Sequence, residues 1–159
     1  MRIIGIDPGS TLIGYGLVEY SGSKFSCLDY GTIVNTGKDK SQDYQATEKR
    51  LAQIIKKYHP DVAAIERLFF FSNQKTALAV SEMRGVLFLT LAKAKIPIFE
   101  FTPLEIKQGV TSYGRANKVQ VEKMVRIILN IITPIKPDDA ADALAIAICG
   151  ANNYTPFIK

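Results

Sequence analysis

Apolar runs rich in β-branched and aromatic residues open the chain and predict three strands. They cover residues 2–7, about 13–20 and about 25–34, and the turn sequences DPGS and SGS separate them. Short segments of this composition, joined by Gly/Ser turns, favour an antiparallel meander. We therefore expect the chain to begin with three antiparallel strands.

The rest of the chain alternates helical and strand-like patterns. Apolar residues recur at helical spacing in 44–58, and His59-Pro60 ends that helix. The later segments are a strand at 61–66, a helix at about 74–93, a strand at 97–101, a helix starting at Thr102-Pro103, a helix at 117–131 and a last helix opened by Pro137. The order predicts an α/β fold with a mixed five-stranded sheet, in which right-handed crossovers add two parallel strands to the three antiparallel ones.

The predicted helix at 74–93 is apolar on nearly every side, with Asn73 as a candidate cap. A helix that packs on one core needs only one apolar stripe. We expect part of its surface to face a second subunit.

The composition fits one compact domain over 1–159. With 47% hydrophobic residues, a chain of this length can bury a core without disulfides or structural metals. Residues 3–6 are too short and lack the flanks of a signal peptide, and no segment reaches the roughly 20 apolar residues of a membrane span. We expect a cytoplasmic protein.

The charge favours a polyanionic partner, with a formal net charge of +5 and a pI near 9.2. Cys27 and Cys149 lie in apolar surroundings without CxxC spacing, so we expect both to be reduced core residues. His59 is a boundary residue, and a single histidine argues against HExxH zinc chemistry.

Two apolar strands end on an acid, Asp7 and Glu66. A carboxylate at the end of a buried strand loses hydration and needs a cation, a donor or a metal beside it. In a sheet of the predicted order, the first and fourth strands are parallel neighbours. Their terminal acids should therefore lie at similar height.

The last helix carries three more acids, at 138, 139 and 142, in an otherwise apolar segment. Acids in a first turn complement the helix dipole, which is sufficient to explain Asp138. Asp139 and Asp142 are three apart and share a helix face, but Asp138 and Asp142, four apart, do so equally well. Spacing alone leaves the choice between 138 and 139 open.

Four converging carboxylates would repel one another or bind protons unless divalent cations lay between them. Oxygen ligands without histidine or thiolate select Mg²⁺, with Mn²⁺ as a plausible substitute. Two such ions, roughly 3.5–4 Å apart, support hydrolysis of a phosphodiester by in-line displacement. The sequence therefore indicates a metal-dependent phosphodiesterase.

A set of motifs over nearly the whole chain carries a specific resemblance: IGIDPGST and GYG, then AIER, RGV at 84–86, IKQGVTSYGRANKVQV and DDAADALAIA. Together, in this order, they resemble the RuvC family of bacterial Holliday-junction resolvases. The resemblance implies a ribonuclease H-like fold, a homodimer, and magnesium-dependent, symmetric nicking of two opposed strands of a four-way DNA junction. It also implies work beside a branch-migration motor.

The resemblance assigns the catalytic and metal-binding set to four acids: Asp7, Glu66, Asp139 and Asp142. Asp138 then becomes a flanking acid. Matching motif positions imply that Lys107 and Lys118 contact phosphate and that Phe69, in a run of three phenylalanines, stacks on an unpaired base. Arg115 adds positive charge to the SYGR loop and completes the expected DNA-binding set.

Three other readings share features of this sequence. Sugar kinases and actin-like ATPases also follow a first strand with DxG and Ser/Thr, but they need two lobes of this fold. The small ribosomal-RNA-processing nuclease of the same superfamily matches the DPGST-GYG opening and the DDAAD helix less well. In an inactive DNA-binding module, nothing would favour retaining four acids.

Overall fold

The computed structural model describes residues 1–68 and 74–153. The strands are β1 (Arg2–Asp7), β2 (Leu12–Ser21), β3 (Lys24–Val34), β4 (Val62–Glu66) and β5 (Ile98–Phe101). The helices are α1 (Lys40–Tyr58), α2 (Gln74–Lys93), α3 (Pro103–Thr111), α4 (Lys118–Leu129) and α5 (Asp138–Asn153). Among these helices, none has the length and apolarity that crossing a membrane requires.

The five strands form one mixed sheet in the order β3-β2-β1-β4-β5. β1 pairs antiparallel with β2, and β2 with β3, whereas β4 runs parallel to both β1 and β5. The predicted architecture is confirmed, including the parallel pairing of the first and fourth strands.

Alternation along each strand divides the core between the two faces of the sheet. In β1, Ile3 packs with α3, α4 and α5, whereas Ile4 and Ile6 point to the face covered by α1 and α2. Both faces are covered, so β1 and β4 are apolar at nearly every position, as is typical of central strands.

Capping residues move the helix boundaries away from those predicted. α1 begins at Lys40 because Asp39 caps it, accepting a hydrogen bond from Gln42 N at 3.0 Å. α4 begins after Asn117, which forms a capping box with Gln120, and it ends at Leu129, followed by Asn130 as a left-handed C-cap. Apolar periodicity alone does not report such caps.

The predictions for His59 and for the two cysteines are largely confirmed. His59 is the left-handed C-cap of α1, with φ of 49°. Both cysteines are free thiols. Cys149 is buried in the core, whereas Cys27 is only half-buried at its margin.

Glycines let α5 approach the sheet more closely than larger residues would allow. A Cβ placed on Gly5 would lie 2.1 Å from the carbonyl O of Ala143, and one on Gly14 would lie 2.1 Å from the carbonyl O of Asp139. The facing side of α5 is built largely from buried alanines. The backbones of α5 and of β1 and β2 are therefore in direct contact.

We predict that Gly14→Ala destabilises the protein by about 1–3 kcal/mol, because the new methyl group overlaps helix backbone that cannot move without repacking. Differential scanning calorimetry should show the melting temperature falling by roughly 2–4 °C for each kcal/mol. Gln53→Ala is the control, because Gln53 is exposed in the interior of α1, outside the contact of α5 with the sheet. Alanine there should be neutral or stabilising by up to about 0.5 kcal/mol. Equal effects of the two substitutions would contradict the close contact.

Candidate active site

Asp7 and Glu66 end neighbouring parallel strands on the same face of the sheet. Ile6 of β1 pairs with Ile65 of β4, so the next residue of each strand is an acid at the same height. Alternation turns both side chains toward α5 and away from the face on which Ile6 and Ile65 are buried. The structure thus brings these two predicted acids together.

Helix α5 adds the remaining acids, and the structure separates Asp139 from Asp138. Asp139 and Asp142 are near enough to Asp7 for their charges to affect its protonation. Asp138 instead accepts a hydrogen bond from Lys136 Nζ at 2.7 Å on the exposed side of the helix. The catalytic role that the resemblance assigns to these acids stays a prediction. We call Asp7, Glu66, Asp139 and Asp142 the carboxylate cluster.

An open pocket of about 370 Å³ lies at the cluster. Asp7, Glu66 and Asp142 line it from the sheet and α5, Lys107 lines it from α3, and Lys118 from the first position of α4. Lys118 Nζ lies 3.1 Å from Asp142 Oδ2. Two predicted DNA-binding lysines therefore share one cavity with three of the four acids, and Asp139 is not among the residues described as lining it.

The other two predicted DNA contacts are not placed in this pocket. Arg115 is exposed in the loop between α3 and α4 and is absent from the residues described as lining the cavity. Phe69 lies outside the described residues, as do Phe70 and Phe71.

Burial and mutual repulsion raise the pKa of both strand-end acids. The pKa of Asp7 rises from 3.8 to about 7, chiefly because burial disfavours its charged form. The acidic neighbours add to the rise, in the order Glu66, Asp142 and Asp139. Burial also raises the pKa of Glu66, followed by the charge of Asp142. The metal-free cluster therefore carries less negative charge at neutral pH than four free carboxylates would.

Lys118 compensates part of this charge. Its hydrogen bond to Asp142 raises the pKa of the Lys118 ammonium, and its charge opposes the rise in the pKa of Asp7. The lysine side chain is 77% exposed, so the pair is screened by water and contributes little to stability. We expect it to open readily when a stronger ligand for either partner arrives.

Sequence reasoning gave no role to Arg84, although RGV was part of the resemblance. The guanidinium group donates from Nη1 to the backbone O of Glu66 and from Nη2 to Glu100, and it lies 5.0 Å above the Phe88 ring. Its side chain is only 12% exposed. A buried charge of this kind needs partners, and its partners here fix the end of β4 that carries Glu66. The signal for it in the sequence is an arginine in the middle of a helix that is apolar on nearly every side.

The donor set fits a hard divalent cation, because every acid in the cluster offers carboxylate oxygen. In the part of the chain that the structure describes, no three histidine, cysteine, aspartate or glutamate side chains are arranged to hold one metal ion. Asp142 is engaged by Lys118, and a hydrogen bond links Glu66 to Asp7. Ion binding would therefore require these side chains to leave their present partners.

Comparison with known sequences gives consistent matches. The family model for the crossover junction endodeoxyribonuclease RuvC matches residues 3–150. The chain is 49% identical to the RuvC protein of Alkaliphilus oremlandii over 162 residues, which span 100% of this chain and 99% of the relative. It is 51% identical to RuvC of Ruminiclostridium cellulolyticum over 155 residues, spanning 97% and 93%.

Solved structures show the same fold. T. thermophilus RuvC in complex with Holliday junction substrate matches with a TM-score of 0.87 at 27% identity, covering 96% of this chain and 94% of that chain. The yeast mitochondrial Holliday junction resolvase matches with a TM-score of 0.67 at 17% identity, covering 94% and 77%. The second match supports the ribonuclease H-like fold alone.

The raised pKa of Asp7 predicts how metal-free stability changes with pH. The unfolded chain releases this proton near pH 4 and the folded chain near pH 7, so the group lowers stability progressively between these values and fully above them. Asp7→Asn removes the ionisable group and therefore this loss of stability. In EDTA at pH 8 we expect it to stabilise the protein by about 1–3 kcal/mol, with no gain at pH 3.5.

Thermal unfolding of both proteins at the two pH values checks this expectation. Asp138→Asn is the matched control, because Lys136 lowers the pKa of that carboxyl and the same change cannot relieve repulsion. An equal gain from Asp7→Asn at both pH values would show that titration of Asp7 is not the cause.

Proposed function

The chain belongs to the RuvC family of crossover junction endodeoxyribonucleases, and we propose that the carboxylate cluster is its active site. The family consists of metal-dependent nucleases, and this chain is a resolvase of four-way DNA junctions. The kinase-like and ribosomal-RNA-processing readings of the sequence are thereby set aside. The proposed reaction adds water across a phosphodiester and leaves a phosphomonoester and a hydroxyl group.

The convergence of acids from three separate elements is the observation that carries the proposal. Asp7 ends β1, Glu66 ends β4, and Asp139 and Asp142 lie in the first turns of α5. The raised pKa of Asp7 shows that burying this carboxylate, and placing it among acidic neighbours, costs free energy in the metal-free protein. Clusters that lower stability in this way are typical of functional sites.

We propose Mg²⁺ as the ion, with Mn²⁺ as a substitute and two ions in each site, held by the carboxylate cluster. When bound, such ions lower the pKa of a water molecule and stabilise negative charge on the attacking and leaving oxygens. The oxygen-only donor set supports a hard cation. The carboxylates would set where the ions lie relative to the scissile phosphate.

Lys107 from α3 and Lys118 from α4 complete the lining of the proposed site. Their positive charges would attract the phosphate and offset the negative charge that develops during hydrolysis. If Asp142 served as a metal ligand, the Lys118 ammonium, which now bonds to it, would be free for this contact. The net charge of +5 supports binding of the junction mainly through its backbone.

Asp7→Asn is predicted to abolish junction cleavage while junction binding stays equal or becomes tighter, because it removes a metal ligand and a negative charge together. A synthetic four-way junction and a linear duplex of matching sequence should be incubated with each protein in Mg²⁺ and in EDTA. Denaturing gels report the nicks, and a gel-shift titration reports binding. The wild type should give paired nicks in the junction only, and only in Mg²⁺.

Asp138→Asn serves again as the control, because its side chain lies outside the cluster and should not be needed for cleavage. Parallel loss of binding and cleavage in Asp7→Asn would indicate that Asp7 is structural. Tight junction binding by the wild type without any cleavage would instead support an inactive binding module.

We also propose that the enzyme acts as a homodimer through the outer face of α2. The inner face of this helix buries Met83, Leu87 and Leu91, yet Leu78 and Leu89 are 63% and 57% exposed. These two leucines are eleven positions apart, three helical turns, so they lie on one face. Symmetric nicking needs two equivalent sites, which a twofold contact supplies. A branch-migration motor as a further partner is proposed from the family resemblance alone.

Leu89→Glu is expected to convert the dimer into a monomer at micromolar concentration, because it places a charge in a self-complementary apolar contact. Light scattering at several concentrations measures this. Ile127→Glu is the control, since Ile127 is 58% exposed on α4, which packs on the opposite face of the sheet from α2. A wild type that runs as a monomer would contradict the assignment.

A further inference from the structure

The loop between α3 and α4, residues 112–117, presents a large aromatic side chain and joins two helices that line the pocket of the candidate active site. Tyr113 is 56% exposed. Lys107 precedes this loop and Lys118 follows it, and both line the pocket of the carboxylate cluster. A single exposed aromatic residue is ordinary on a protein surface, so further observations must distinguish this one.

The backbone of Tyr113 is held in place on both sides. Tyr113 N donates to Thr111 Oγ1 at 3.1 Å, and Ala116 N donates to the carbonyl O of Tyr113 at 3.1 Å. Thr111 Oγ1 also lies 2.8 Å from the carbonyl O of Lys107, within α3. These bonds tie the position of the tyrosine to the helix that carries Lys107.

Gly114, which follows Tyr113 in the loop, packs tightly against α3. A Cβ on Gly114 would lie 2.4 Å from Leu104 Cδ1 and 3.3 Å from Gln108 Cγ, so the loop backbone rests directly on α3. Ala116 is buried, at 2% exposure. The loop therefore has an anchored backbone, while Tyr113 and Arg115 are exposed.

An anchored loop that exposes an aromatic ring is suited to binding a flat partner. A tyrosine has few side-chain torsions to immobilise, so it binds at a low entropic cost. Nucleobases stack on such rings with little dependence on their identity, and each stack contributes about 1–3 kcal/mol. The cations on either side would hold the phosphate backbone near the ring.

We infer that Tyr113 stacks on a nucleobase of the junction close to the scissile phosphate, and that Arg115 contacts the adjacent backbone. The inference deepens the proposed function and rests on it. It assigns sequence-tolerant base contact to the Tyr113 ring and electrostatic contact to Arg115. The two side chains should therefore respond differently to substitution.

Binding to a four-way junction in Ca²⁺, over a range of salt concentrations, tests the assignment. Tyr113→Ala should weaken binding by about 5- to 100-fold with an unchanged salt slope, and Tyr113→Phe should stay within about twofold of the wild type. Arg115→Ala should instead reduce the salt slope by about one. Junctions carrying 2-aminopurine near the crossover should lose fluorescence quenching at one position in Tyr113→Ala and retain it in Tyr113→Phe.

Val34→Ala is the control for loss of exposed apolar surface and should bind like the wild type. Wild-type binding by Tyr113→Ala would overturn the inference. So would a defect in Tyr113→Phe as large as that in Tyr113→Ala, which would assign the contact to the hydroxyl group. A change of oligomeric state in Tyr113→Ala, seen by sedimentation, would place Tyr113 in a protein contact instead.

A wild type that does not cleave the junction refutes the proposed function, whereas a cleaving wild type with an unaffected Tyr113→Ala refutes this inference alone.

Discussion

The close contact between α5 and strands β1 and β2 is the constraint on which the arrangement of the acids depends. Gly5 and Gly14 leave no side chain between helix and sheet, and the backbone carbonyl of Asp139 occupies the space where a Cβ of Gly14 would lie. The contact brings the first turns of α5 to the end of β1. The glycines of the IGID and GYG motifs therefore act through packing, and they determine how near Asp139 and Asp142 lie to Asp7.

That proximity has an electrostatic cost, which connects the fold to its chemistry. Carboxylates held together by a rigid helix and two strands cannot separate to relieve repulsion, so protonation and Lys118 relieve part of it in the metal-free protein. A divalent cation offers stronger compensation and brings the charge that phosphodiester hydrolysis requires. The same geometry thus lowers stability without metal and supplies the proposed ligand set for metal.

The sheet and the strand-end acids could be predicted from the sequence, because period-2 alternation, turn residues and terminal acids are local signals. Sequence spacing could not choose between Asp138 and Asp139, which fit a helical face equally well. The structure separates them through a tertiary contact, the bond from Lys136 to Asp138. Arg84 went unassigned for a related reason, since its link to the end of β4 joins residues 18 positions apart. Local patterns do not contain such contacts.

Titration of the DNA-free protein with Mn²⁺ at pH 7 is the most direct test of the claim that the carboxylate cluster is a divalent-metal site. Calorimetry in two buffers of different ionisation enthalpy reports both binding and proton release. The account predicts saturable binding with release of protons, because Asp7 retains part of its proton at this pH, and a loss of both in Asp7→Asn. Binding of the same strength in wild type and Asp7→Asn, without proton release, would contradict it.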